Sequence, residues 1–381
     1  MSPCCLTGEG DAVFRGRRLP GRDALAEAGL QPVTLGYKEG LALVNGTSAM
    51  TGIAAVNATR ARRLVGLALG LGLLYAECLG GFGEAFDPRF GQVRRHPGQQ
   101  RAHARLAGLC RDGSRLRPLT EPPRLDDGPA DGGVLADRAL PQDPYTIRCL
   151  PQVMGAALDV LAFHDAIVET ELNAATDNPL VFAEDAAVLH GGNFFGQHVG
   201  YAADTQALAV VNIAVHAERS LARLTDPTLN GGLPAFLQQG TIGLNSGFMG
   251  AQVTASALVA EMRTRAHPAS IQSIPTNANN QDVVPMGTIA ARKASDLLDL
   301  AWLVLAIHGM ALAQAFELLD GFSPSSGFSA SSRRIAGLVR ARSPFLDRDR
   351  PLSAEITAVA ADLETVDWID DRPECWQVRP S

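Results

Sequence analysis

The 381-residue sequence predicts an all-α fold, an elongated bundle of long helices in a single domain. Three observations carry that expectation. Five apolar stretches run for roughly 19 to 37 residues, well past the usual helix of about 11 to 12. Hydrophobic residues make up 46% of the chain, enough for a sizeable core. Alternating, strand-like patterning is confined to the first 35 residues.

Taken in order, residues 1–35 read as a small hairpin around Gly16 and Pro20 followed by a short helix. Residues 36–319 form the expected bundle core. Its first helix covers Ser48 to Cys78, free of proline, with Arg60, Arg62 and Arg63 grouped along it. Residues 111–144 are rich in Pro, Gly and Asp and read as a long loop, a kind that is more often functional than idle. The second helix, Gln152 to Leu172, stops before Asp177-Asn178-Pro179, because proline cannot continue a helix. The third covers Gln197 to Leu224, the fourth Gly247 to Arg265 and the fifth Val283 to Leu319, with Pro285 near its start, where a missing N–H costs little. Residues 320–381 form a polar tail with shorter helices such as Ser353 to Glu364. Wide apolar faces, with Gly66, Gly70 and Gly72 permitting close approach, indicate a buried bundle centre shared between subunits.

Charge and cysteine usage exclude several functions. The net charge is −7, from 33 basic and 40 acidic residues, with no basic face for nucleic acid. Only Lys38 and Lys293 are lysines. Six scattered cysteines show no CxxC pair or zinc-finger spacing, so neither metal nor a disulfide framework is expected. The uncharged stretch Leu300–Phe316 is short for a bilayer and carries His308 and Gln314, and the N-terminus lacks a signal pattern. A soluble, cytoplasmic protein without membrane association is expected.

Familiar catalytic templates are absent. Gly243-Leu244-Asn245-Ser246-Gly247 is not a nucleophile elbow, and no P-loop, HExxH or Rossmann fingerprint occurs. Four polar segments interrupt the apolar runs: Asn45-Gly46-Thr47, Gln142 to Arg148, Gly191 to Phe194, and Asn279-Asn280-Gln281-Asp282. Each alone also reads as a cap or turn. Together, near helix ends with their free N–H groups, they suggest a pocket for a small molecule with a polar head.

These segments carry a resemblance. GLALVNGTSA, QDPYTIRCLPQVMGA, ELNAATDNPLVF, GGNFFGQHV, GLNSGFMGAQVTA and NNQDVV resemble, in order, the ammonia-lyases and 2,3-aminomutases acting on histidine, phenylalanine and tyrosine. The similarity runs from Met1 to about Asp367. It implies a fumarase/aspartase-like helical fold, a homotetramer and active sites built from three subunits. It also implies a prosthetic electrophile, 4-methylidene-imidazol-5-one (MIO), cyclised from Ala-Ser-Gly. Such a group is needed because ammonia leaves poorly, the β-hydrogen is scarcely acidic, and ordinary side chains include no strong electrophile.

By that resemblance Asn45 contacts the prosthetic group and substrate, while Gln142 and Tyr145 form a polar pair beside the electrophile, with Tyr145 stabilising it. Arg148 binds the substrate carboxylate, a partner suited to its planar fork. Phe194 packs near the prosthetic ring. Gln281, with Asn280 beside it, stands where histidine-specific members carry glutamate; a neutral amide favours phenylalanine or tyrosine over histidine.

One feature departs from the family. The segment MSPCCLTGEGDAVFRGRRLPG resembles the stretch just after the family's electrophile-forming motif, and no Ala-Ser-Gly occurs in the chain; Ser325-Ser326-Gly327 lies in the wrong context. The expectation is a chain truncated of the family's N-terminal third, lacking the triplet and the catalytic tyrosine loop, so that MIO is not formable from these residues and the chain alone is inactive. Three readings stay open: a fragment of an active lyase or aminomutase, one half of a split enzyme, or a non-catalytic amino-acid-binding or assembly subunit, including one in a hetero-assembly with an intact paralogue.

Overall fold

The computed structural model describes residues 3–118, 142–241 and 243–368. Most of the predicted loop 111–144 and the end of the tail lie outside these residues. The chain begins with the expected hairpin, β1 (Asp11–Phe14) paired antiparallel with β2 (Arg17–Pro20), and a short helix α1 (Gly21–Glu27). Next come α2 (Glu39–Val44), unforeseen in the sequence, and α3 (Ser48–Leu79), the first long helix. Gly80 ends α3 at φ 59, the left-handed geometry that glycine adopts without strain.

Two helices absent from the sequence-based expectation come next, α4 (Pro88–Arg94) and α5 (Pro97–Leu109). Both open with proline at a first-turn position, and Asp87 caps α4 by accepting from Arg89 N at 2.8 Å. The short α6 (Tyr145–Arg148) precedes α7 (Leu150–Leu172). A second hairpin, β3 (Leu180–Phe182) with β4 (Ala187–Leu189), not expected from the sequence, fills the connection between the second and third long helices. Then come α8 (Gln197–Thr225), α9 (Met249–Arg265) and α10 (Gly287–Leu318). Two shorter helices close the described chain, α11 (Ala330–Arg340) and α12 (Ser353–Thr365). The fifth run starts at Gly287, not Val283, so Pro285 lies just ahead of the helix rather than in its first turn.

The core is the mutual packing of α3, α7, α8 and α10, with α9, α11 and α12 against α10 and α5 against α7. Leu64, Leu67, Leu69, Leu71, Leu73 and Leu74 of α3 and Trp302 and Phe316 of α10 are almost wholly buried. Each such side chain stabilises the fold by roughly 1.5–3 kcal/mol before entropy is counted. α10 is apolar and long enough to span a membrane, yet 78% of its most apolar window is buried within the protein, as in a core helix. Glycine permits one close crossing: an added Cβ on Gly98 would stand 2.1 Å from the Gly155 carbonyl oxygen, so α5 and α7 touch backbone to backbone.

Glu77 ties the far end of α3 to α11. Its carboxylate is fully buried and accepts from Ser329 N at 3.1 Å and from the hydroxyls of Ser329 and Ser332. Burial raises its pKa, while those serine donors pull the other way.

Candidate active site

The predicted site residues fall into two groups at opposite ends of the bundle. The first lies at the start of α3. Asn45 ends α2, is half-buried, and donates its Nδ2 to Asp177 Oδ1 at 3.2 Å. Gly46, at φ +83, lets the two segments meet: a Cβ there would stand 2.0 Å from the Thr176 carbonyl oxygen. Half-buried Phe194 lies in the turn before α8, and its neighbour Asn193 donates to the Ala175 carbonyl at 3.2 Å. Gly196 and Gly287 both close on Met50, which brings the beginnings of α8 and α10 to this end.

Asn280 and Gln281 lie in the loop leading to α10, seven and six positions before its first residue rather than at its terminus. Asn277, Ala278 and Asn279 all adopt positive φ, and Thr276 and Gln281 form an antiparallel bridge that closes the turn. Gln281 is exposed, and its Oε1 accepts from the Thr276 hydroxyl at 2.7 Å.

The second group sits beside the far end of α3. Gln142, Asp143 and Arg148, with Phe82, Glu84, Phe90 and Gln152, line a cleft of about 410 Å³. Asp143 is the hinge of this turn: its Oδ2 accepts from Phe82 N at 2.6 Å, and Arg117 lies 3.6 Å from its Oδ1. Arg148 donates Nε to the Asp143 carbonyl at 3.3 Å and stacks 4.8 Å from the centroid of the exposed Tyr145 ring. Among the described residues no carboxylate pairs with the half-buried Arg148, so most of its fork has no protein acceptor.

Beneath this turn lies a buried polar platform. The Tyr75 hydroxyl meets Thr146 Oγ1 at 3.2 Å, and the Tyr75 ring packs edge-on against His308. Burial pushes the Tyr75 hydroxyl up to about 12. Burial also holds His216 down to about 4, opposed by its hydrogen bond to the Thr146 backbone, and His308 down to about 3. Both ring nitrogens of His308 lack a partner among the described residues. Tyr75, Thr146, His216, Phe82 and Asp177 were not picked out as functional from sequence. Tyr75, His216 and Phe82 sit in apolar or unremarkable contexts, Thr146 lies in the polar segment Gln142 to Arg148 without being singled out, and Asp177 reads as part of a helix stop.

The two groups cannot share one ligand within a chain. α7 leads from Arg148 toward Asp177 and rises about 34 Å over its length, and the Ser48-to-Tyr75 part of α3 gives about 40 Å. A residue-sized ligand spans a fraction of that.

Among the described residues no cluster of three metal-ligating side chains occurs, and Cys5, Cys78, Cys110 and Cys149 are free thiols.

Comparisons agree with this architecture. The aromatic amino acid lyase family model matches residues 3–341. The tyrosine ammonia-lyase of Cereibacter sphaeroides is 51% identical over 363 residues, covering 94% of this chain and 68% of that protein. The histidine ammonia-lyase of Myxococcus xanthus is 42% identical over 353 residues, 93% of this chain and 65% of that protein. Among solved structures, tyrosine aminomutase from Streptomyces globisporus superposes with a TM-score of 0.88 at 38% identity, covering 94% of this chain and 68% of that one. Phenylalanine aminomutase of Pantoea agglomerans gives 0.88 at 33% identity, covering 95% and 70%. The chain therefore spans about two thirds of the relatives it matches. With its long-helix bundle and its match over residues 3–341, the chain belongs to the aromatic amino acid lyase family.

Proposed function

We propose that this chain provides the carboxylate-binding and bundle-forming part of an aromatic amino acid ammonia-lyase or 2,3-aminomutase whose substrate is tyrosine or phenylalanine. The observation that carries the reading is Arg148. It is half-buried and stacked on the Tyr145 ring in a cleft that Phe82 and Phe90 also line, and no acid of its own protomer neutralises it among the described residues. A substrate carboxylate would supply the bidentate partner that its fork lacks. Gln281 supports a phenyl or phenol over an imidazole side chain, since its neutral amide carries no charge to pair with imidazolium. The 51% identity to a tyrosine ammonia-lyase points the same way.

The separation of Arg148 from Asn45 and Gln281 supports an oligomeric site, with the carboxylate held by one subunit, and the amine end met by Asn45 and the side chain by Gln281 of another. A homotetramer is the assembly this reading expects. MIO would supply the electrophile that makes the amine a leaving group. The amide of Asn45 suits contact with such a polar ring, with Phe194 against its face and Gln142 and Tyr145 beside it. The 381 residues contain no Ala-Ser-Gly, so they fit the group as its neighbours and not as its source. Residues 1–381 alone are then inactive, and the free thiols fit a reducing cytoplasm.

The test is expression of residues 1–381 alone and fused to the part of the tyrosine ammonia-lyase that this chain does not match. The lone chain should release no ammonia from tyrosine, phenylalanine or histidine and show no prosthetic-group absorbance. The fusion should deaminate or isomerise tyrosine or phenylalanine. Turnover by the lone chain would sink the reading, because another group would then be the electrophile. A folded, MIO-bearing fusion without turnover would instead favour a non-catalytic binding or assembly subunit.

A further inference from the structure

We propose that Asp177, held by Lys38, is a positioning residue that fixes the side-chain amide of Asn45 so that its carbonyl oxygen faces the site. The inference rests on the reading of Asn45 as a residue that meets substrate.

The geometry leaves little freedom. Asp177 Oδ1 accepts from Asn45 Nδ2 at 3.2 Å and from Asn178 N at 2.7 Å, while Oδ2 pairs with the Lys38 ammonium. An ionised carboxylate only accepts, so the Asn45 amide must turn its NH2 toward Asp177. Its Oδ1, which receives no hydrogen bond among the described residues, is left as an acceptor. An acceptor suits the N–H groups of a substrate amine; a flipped amide would present a second donor there and oppose it.

Several features make this a built arrangement. Thr47 N donates to Thr176 Oγ1 at 3.4 Å, and the absent Cβ of Gly46 lets the Thr176 backbone close in. Lys38 is one of only two lysines in the chain; the other, Lys293, pairs with the buried Asp204. The Lys38 hydrogen bond, then that from Asn178 N, holds the Asp177 carboxyl below its ordinary range, so it stays an acceptor at neutral pH.

The experiment is a double-mutant cycle on the active fusion described above, with Asp177→Asn, Asn45→Ala and the pair. Asp177→Asn keeps the shape but lets the amide rotate, and should lower kcat about ten- to a hundredfold, the loss expected for one charge-assisted hydrogen bond. On the Asn45→Ala background the same change should cost less than about twofold, since coupled residues are not additive. Lys38→Met serves as a second variant with the same expected non-additivity. In residues 1–381 alone, Asp177→Asn should speed acylation of Lys38 by an amine-reactive ester several-fold relative to Lys293, as mapped by mass spectrometry. Full additivity with Asn45→Ala, or Lys38 labelling unchanged by Asp177→Asn, overturns the proposal while the reading of Asn45 stands. Unaltered turnover in Asn45→Ala overturns that reading and this one together.

Discussion

The Tyr75 hydroxyl and the Thr146 hydroxyl meet at 3.2 Å, joining the core helix α3 to the turn that carries Arg148. Tyr75 is fully buried, so its hydroxyl has no water to turn to. Tyr75→Phe should cost about 1–2 kcal/mol in chemical denaturation, the loss of one buried hydrogen bond with its partner left behind. In an active assembly it should raise KM more than it lowers kcat, because the turn it seats carries the carboxylate-binding group. An unchanged KM with a lowered stability would make its role structural only.

Arg148→Lys retains the charge and loses the fork. In an active assembly it should weaken binding of a substrate carboxylate by about tenfold or more, since a point charge cannot pair bidentately. Isothermal titration with a non-reacting aromatic carboxylate measures it. Unchanged affinity would show that the cleft beside Phe82 and Phe90 does not hold the carboxylate.

Acid should destabilise the chain through its buried histidines. His216 and His308 have folded-state pKa values of about 4 and about 3, below the ordinary 6.5. The unfolded chain therefore binds more protons between about pH 6.5 and those values, and stability falls as pH falls across that window, by up to about 1.4 kcal/mol per pH unit for each histidine. Urea midpoints from pH 7 to 4.5 check this, and His308→Phe should flatten the slope.

Two glycines should respond oppositely to the same change. A Cβ on Gly155 would stand 2.4 Å from Gln99 Cα, a backbone atom that cannot step aside, so Gly155→Ala should destabilise by several kcal/mol, roughly 3 or more, on the scale of severe overpacking. Gly337, exposed in α11 with nothing within 4 Å, should stabilise by about 0.5–1 kcal/mol as alanine. Thermal melts of both variants decide it.

Removing the Glu77 carboxylate should loosen α11. Glu77→Ala leaves Ser329 N and two serine hydroxyls without their buried acceptor, at a cost of about 2–4 kcal/mol. Hydrogen exchange should show Ala330–Arg340 opening before α3 and α10.

The helical class and the long helices were legible in the residues alone, because a wide apolar face at helical spacing has no other way to be buried. Four of the five runs lie within two residues of their helices at both ends; α10 alone begins four residues late, after Pro285. The polar segments were legible too, through motifs whose residue types mark the family. Helices α4 and α5 were not, being short, polar on their outer faces and signalled mainly by a proline at each start. Which polar segments meet is settled only by packing in three dimensions. Asn45 and Asp177 are 132 positions apart and become partners because Gly46 lets two segments touch. Asn45 and Arg148, expected from the resemblance to serve active sites built from three subunits, stand within one chain at opposite ends of α3 and α7. The physical reason is the rigid rise of a helix: local pattern fixes how each segment folds, while helix length and packing fix what each segment can reach.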